Sequence, residues 1–175
     1  MKIELKRISF NERMSDETNC FVADLYINGK KVGYVQNEGR GGCTDYRGNT
    51  LEDQKIIREA EAYCKTLPNV RSEELNFEYP MTLEHYIDEL LETHLKAKDL
   101  AKIEKKMQKA FANAICYGKK LANGYEYGTI FWKGRTLASI PLAYLQKAYD
   151  DVKANKLKNG DVILNDNLEA LGVKL

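Results

Sequence analysis

Apolar and polar positions alternate from the start of the chain. Ile3 and Leu5 share one face and Lys2, Glu4 and Lys6 the other, then Ile8 and Phe10 continue with the phase shifted. This predicts a strand over residues 2–10 carrying a bulge or bend. The clearest signal is CFVADLYINGKKVGYVQ, residues 20–36. Phe21, Ala23, Leu25 and Ile27 alternate onto one face, and Asn28-Gly29 supplies the pair of positive-φ residues that a type I′ turn requires. An antiparallel hairpin is expected, with the return strand over 31–36.

The period then changes to that of a helix. Thr50 and Asp53 resemble a capping pair, Ile56, Ile57, Ala60, Tyr63, Cys64 and Leu67 form an apolar stripe, and Pro68 ends it. Tyr63 and Cys64 are read as core residues. After an irregular stretch, Thr82 can cap a helix bearing Leu83, Tyr86, Ile87, Leu90, Leu91, His94 and Leu95. A further series, Leu100, Ile103, Met107 and Ala110, is out of phase with it, and KAKD at 96–99 marks the break. Two helices, or one kinked helix, are therefore expected, with Asp99 capping the second.

NAICYG and NGYEYGTIFWKG are rich in β-formers and predict a second hairpin joined by a KKLANG loop. The alternative is that the preceding helix runs on to Tyr117. Pro141 marks the start of a last helix carrying Leu142, Leu145, Tyr149 and Val152 and ending at Gly160, and VILN at 162–165 offers a short final strand. Like elements occur in runs, so the expected fold is α+β: an antiparallel N-terminal hairpin or sheet with a helix, a central helical pair, and a second β-hairpin followed by a helix. One domain over 1–175 is expected, and 1–78 and 79–175 are the lobes into which it would divide.

Composition adds limits. The 175 residues are 43% hydrophobic and 30% charged, with a net charge of +1. That is enough apolar material for a core, and no overall charge that selects a partner. Cys20, Cys43, Cys64 and Cys116 are scattered with no CxxC pair, which fits reduced thiols better than a disulfide framework. MKIELKRISF does not read as a signal peptide, and no apolar run nears the roughly 20 residues of a membrane span. A cytoplasmic chain with no membrane partner is expected.

Candidate chemistry centres on NEGRGGCTDYRGN, residues 37–49. Backbone N–H groups in such a loop can form an anion-binding nest, and a helix start follows. Arg40, Gly41, Gly42, Cys43, Thr44 and Arg47 are the candidate ligand or partner residues, the arginines supplying charge-assisted bonds. The spacing matches no known phosphate motif, and the glycines equally suit sharp turns. Cys43 has no base nearby in sequence, and His85 and His94 are not on adjacent turns of one face. No catalytic residue, metal set or cofactor is assigned, so an enzyme is the less favoured reading.

Charge is segregated further along. Residues 73–92 hold Glu73, Glu74, Glu78, Glu84, Asp88, Glu89 and Glu92 with no Lys or Arg, whereas residues 96–120 hold eight lysines against Asp99 and Glu104. Lys102, Lys105, Lys106 and Lys109, with Trp132, Lys133 and Arg135 of the aromatic hairpin, form a candidate nucleic-acid surface. The competing reading is a solvated helix face.

ERMSDETNCFVADLYINGKKVGYVQNEGRGGCTDY at 12–46 and VILNDNLEALGV at 162–173 resemble small proteins of phages, plasmids and other mobile elements. That resemblance implies a protein that acts by binding, such as by inhibiting a host defence component. The Gly/Arg surface of the 37–49 loop adds capture of a small phosphorylated ligand, so a non-enzymatic binding protein is the leading expectation. A nucleic-acid-binding module and an enzyme on a nucleotide or phosphorylated substrate are the alternatives.

Overall fold

A computed structural model describes residues 1–72 and 77–175; Glu73 and Glu74 of the acidic run lie outside the described residues. The fold is α+β, with antiparallel sheets and three α-helices among the described residues. The chain divides into two compact units, Met1–Leu95 and Lys96–Leu175, a later division than the 78/79 boundary between the expected lobes.

In the first unit, strands β1 (Ile3–Phe10), β2 (Phe21–Ile27), β3 (Lys30–Asn37) and β4 (Asp45–Gly48) pair in sequence order as an antiparallel meander. The register of β1 against β2 shifts between Lys6 and Ser9, where Arg7 takes φ 51°, so the phase change in sequence is a bulge. Asn28 (φ 50°) and Gly29 (φ 83°) close the β2–β3 turn in the left-handed region that a type I′ turn demands. β4 was not expected: part of the glycine-rich stretch read as one long connection pairs with β3, from Gly33 opposite Gly48 to Gln36 opposite Asp45. A Cβ on Gly33 would sit 1.9 Å from the Arg47 carbonyl oxygen, so this pairing needs glycine there.

Helix α1 (Leu51–Cys64) starts as read: the Thr50 hydroxyl accepts the Asp53 N–H at 3.1 Å. Its Ile57, Ala60 and Cys64 pack with Phe21, Leu25, Ile27, Val35 and the apolar residues Leu83, Ile87 and Leu91 of the next helix. The irregular stretch after Pro68 contains a small antiparallel pair, β5 (Val70–Ser72) with β6 (Phe77–Tyr79).

In place of the expected helical pair there is one uninterrupted helix, α2 (Leu83–Asn113), started by Thr82, whose hydroxyl accepts the His85 N–H at 3.2 Å. Asp99 caps nothing; it lies inside the helix and pairs with Lys102 at 2.8 Å. The unit boundary falls within α2, so its apolar residues serve a different core in each half.

The second unit is built on the sheet order β8–β7–β9, from β7 (Ala114–Leu121), β8 (Gly124–Phe131) and β9 (Val162–Ile163). The second hairpin is confirmed, and α2 stops at Asn113 rather than running on to Tyr117. Its KKLANG loop shrinks to two residues, because Lys119, Lys120 and Leu121 pair with β8. The buried side chains form two clusters. Met107, Phe111, Ala114 and Cys116 make one. Ile115 makes the other with Leu137, Val152 and Leu168, together with Leu145 and Tyr149 of helix α3 (Leu142–Asp151). α3 continues only as a π-helical turn through Lys156 and ends before Gly160.

Candidate functional site

The 37–45 loop is organised by Asn37, a nearly buried residue at the end of β3. Its Oδ1 accepts from the Thr18 hydroxyl and the Gly39 N–H, both at 2.8 Å. Its Nδ2 donates to the Gly42 carbonyl at 2.9 Å and to Thr44 Oγ1 at 3.2 Å. A second tie comes from the 15–18 segment. The Asp16 N–H donates to the Gly39 carbonyl at 2.9 Å, and the Gly41 N–H to Thr18 Oγ1 at 3.3 Å. Gly39 takes φ +83°, and a Cβ there would lie 2.2 Å from the Met14 carbonyl oxygen, so glycine is required on both counts.

The other side of the loop is anchored to α2. The Thr44 N–H donates to Glu84 Oε1 at 2.9 Å, and the Thr44 hydroxyl donates to Asp88 Oδ1 at 2.7 Å. The loop therefore consumes several of its own polar groups internally. The N–H groups of Gly39, Gly41 and Thr44 already point at Asn37, Thr18 and Glu84.

Two open depressions flank Gly42 and Cys43. One, of about 350 Å³, is lined by Gln36, Glu38, Arg40 and Asp45 among others; the second, of about 360 Å³, is lined by Thr18, Asn19, Thr44, Glu84 and Asp88. Asp88 is exposed as a residue, but local desolvation of its carboxyl holds it above its ordinary range, opposed by the Thr44 hydrogen bond and reinforced by Glu84. The Glu84 carboxylate pushes the Cys43 thiol up, with smaller contributions from desolvation, Asp45 and Asp88. That is the opposite of what activates a cysteine nucleophile. His85 is occupied at the start of α2, its Nδ1 hydrogen-bonded to Thr82 at 2.6 Å and its ring against Tyr79, and His94 is exposed. Among the described residues, no group of three or more His, Cys, Asp or Glu is placed to hold a metal ion.

The six loop residues singled out in sequence are thus divided. Arg40, Gly41, Gly42, Cys43 and Thr44 meet around the two depressions, Thr44 as a buried anchor and Arg40 exposed. Arg47 stands on β4, opposite Tyr34, and lines neither depression. Asn37, Thr18, Glu84 and Asp88 were not among the site residues read from sequence. Glu84 and Asp88 lie 40 and 44 residues from Thr44, beyond any local pattern.

In the second unit, Lys102, Lys105, Lys106 and Lys109 are exposed on α2, and Lys133 and Arg135 are exposed after β8. Trp132 is not an open stacking platform: it is half-buried and packs against the Ile115–Leu145 cluster. No helix among the described residues is long and apolar enough to cross a membrane. Compared with known proteins, the chain matches no family model, no curated protein and no solved structure.

Proposed function

We propose that this chain is a non-enzymatic binding protein that presents its 37–45 loop to a protein partner carrying basic side chains. The observation that carries this reading is the charge around the loop. Glu38, Asp45, Glu84 and Asp88 line the two depressions against one cation, Arg40, and Glu17 approaches Gly41 from the 15–18 segment. A phosphorylated ligand would meet like charge there, and several N–H groups of the nest are already committed. Of the two expected ligand classes, a host protein is therefore favoured over a small phosphorylated molecule. A host defence component suits that setting. The loop is braced from within by Asn37 and from α2 by Glu84 and Asp88, which keeps the ordering cost on binding small.

The test is affinity capture from host lysate with the wild-type chain and with the E38K/D45K variant, alongside a thermal-shift panel of nucleotides. The expected result is a partner held by the wild type and lost by the variant, with no nucleotide raising Tm. A nucleotide-induced shift, or a partner indifferent to the charge reversal, would overturn the proposal.

A further inference from the structure

The second unit carries a charged surface of its own. Lys98, Lys102, Lys105, Lys106 and Lys109 all lie on α2 and are exposed. At about 100° per residue they fall within an arc of roughly 100°. Met107 and Phe111, which are buried, lie roughly opposite. The stripe spans about 16 Å of helix axis at 1.5 Å per residue. Lys102 pairs with Asp99. Among the described residues, Lys98, Lys105, Lys106 and Lys109 have no carboxylate partner.

A solvated helix face gains from interleaving acids and bases at i,i+3 and i,i+4. This face does the reverse. Lys98–Lys102, Lys102–Lys105, Lys102–Lys106, Lys105–Lys109 and Lys106–Lys109 are like-charge neighbours at those spacings, each unfavourable in the free protein. A polyanion laid along the stripe relieves that repulsion and releases its own counterions.

We infer that this stripe is a binding surface for the phosphate backbone of double-stranded nucleic acid. Three observations select that occupant. The 96–109 segment contains no aromatic residue on which unstacked bases could stack, Trp132 is engaged in the core, and Tyr125, which shares a depression with Lys105, packs against the Met107–Phe111 cluster with the Lys120 ammonium over its ring. The lysine arc itself carries no apolar side chain to insert into a lipid surface; the exposed Leu100 and half-buried Ile103 lie outside it, and Met107 and Phe111 are in the core. The lysines sit on one helix, about one turn apart, which sets point charges in a row without reading base edges. Binding is therefore independent of sequence.

Fluorescence anisotropy of the full chain with a labelled 30-bp duplex of mixed sequence tests this. Four to five phosphate contacts give a log–log salt slope of about −4, so affinity falls about 250-fold between 50 and 200 mM KCl. In K105Q/K106Q/K109Q, with helicity checked by circular dichroism, the slope moves to about −1. A charge-matched control, K147Q/K156Q/K174Q, keeps the wild-type slope. No binding at 50 mM KCl, a flat salt response, or equal losses in the control would overturn the inference. So would tighter binding to a single strand of the same length, or to phosphatidylserine vesicles in place of the duplex.

Discussion

Asn37→Ala removes the side chain that holds the loop together. Four hydrogen bonds are lost, at 2.8, 2.8, 2.9 and 3.2 Å. At a net of about 0.5–1.5 kcal/mol each the range is wide, but the partners differ in what water can do for them. Gly42 is an exposed residue whose part-buried carbonyl water can reach, and Thr44 Oγ1 keeps its bond to Asp88, whereas the Gly39 N–H is left buried without that acceptor. We expect a loss of about 2–3 kcal/mol, weighted toward that orphaned donor. Thr18→Val, which takes away one of the Oδ1 partners, should cost about 1 kcal/mol. Urea unfolding followed by circular dichroism gives the global value. Trypsin cleavage after Arg40, followed by mass spectrometry, gives the local one, because cleavage tracks the opened population when reclosing is fast. A local loss of 2–3 kcal/mol raises that population about 30- to 150-fold. Less than about 0.5 kcal/mol by urea together with unchanged cleavage at Arg40 would refute the bracing role of Asn37.

Other outcomes follow from the same geometry. The folded protein holds Asp88 protonated to higher pH than the unfolded chain does, so its contribution is present in acid and lost as pH rises through its folded value. Asp88→Asn keeps an acceptor for Thr44 and should stabilise the chain at pH 7, the gain vanishing below about pH 4; a constant gain at all pH values would contradict this. The Asp53 carboxyl is held low chiefly by Lys30 at 2.8 Å, and also by Thr50. Its contribution is complete above about pH 4 and fades as pH falls through the folded value, a dependence that should be missing in Asp53→Asn. Thr50→Ala should cost about 1 kcal/mol through the lost cap of α1, read as a lower urea midpoint at constant m. Glu84→Gln keeps an acceptor for Thr44 but removes the charge facing Cys43, so the thiol should react faster with a disulfide reagent at pH 8. An unchanged rate would deny that Glu84 governs that thiol.

Legibility in sequence followed the range of the interactions. The Asn28-Gly29 turn, the Thr50 cap and the phase shift in β1 are set by residues within a few positions of each other, and all three were read. The continuity of α2 was not. Its apolar series changes phase at KAKD because Leu83, Ile87 and Leu91 serve one core and Met107 and Phe111 another. A phase change looks like a break when only one core is assumed. β4 was hidden because Asp45-Tyr46-Arg47-Gly48 has no apolar alternation; what defines it is backbone pairing with β3. The site was half visible. Glycines announced a shaped loop, but its polar groups are satisfied by Asn37, Thr18 and Glu84, and that pairing is tertiary. Trp132 failed as a surface residue for a related reason: a β-former next to lysines gives no sign of which face of the hairpin meets a core.

That tryptophan gives the molecule a built-in optical reporter. It is the single indole in the chain, and it packs against the Ile115–Leu145 cluster of the second unit. Emission excited at its red edge, where the 11 tyrosines contribute little, reports on that unit's core. The buried thiol of Cys64 is a counterpart in the first unit, reachable by a labelling reagent only when that core opens. Recording both signals across one urea series would show, without a single substitution, whether the two cores melt together or in turn.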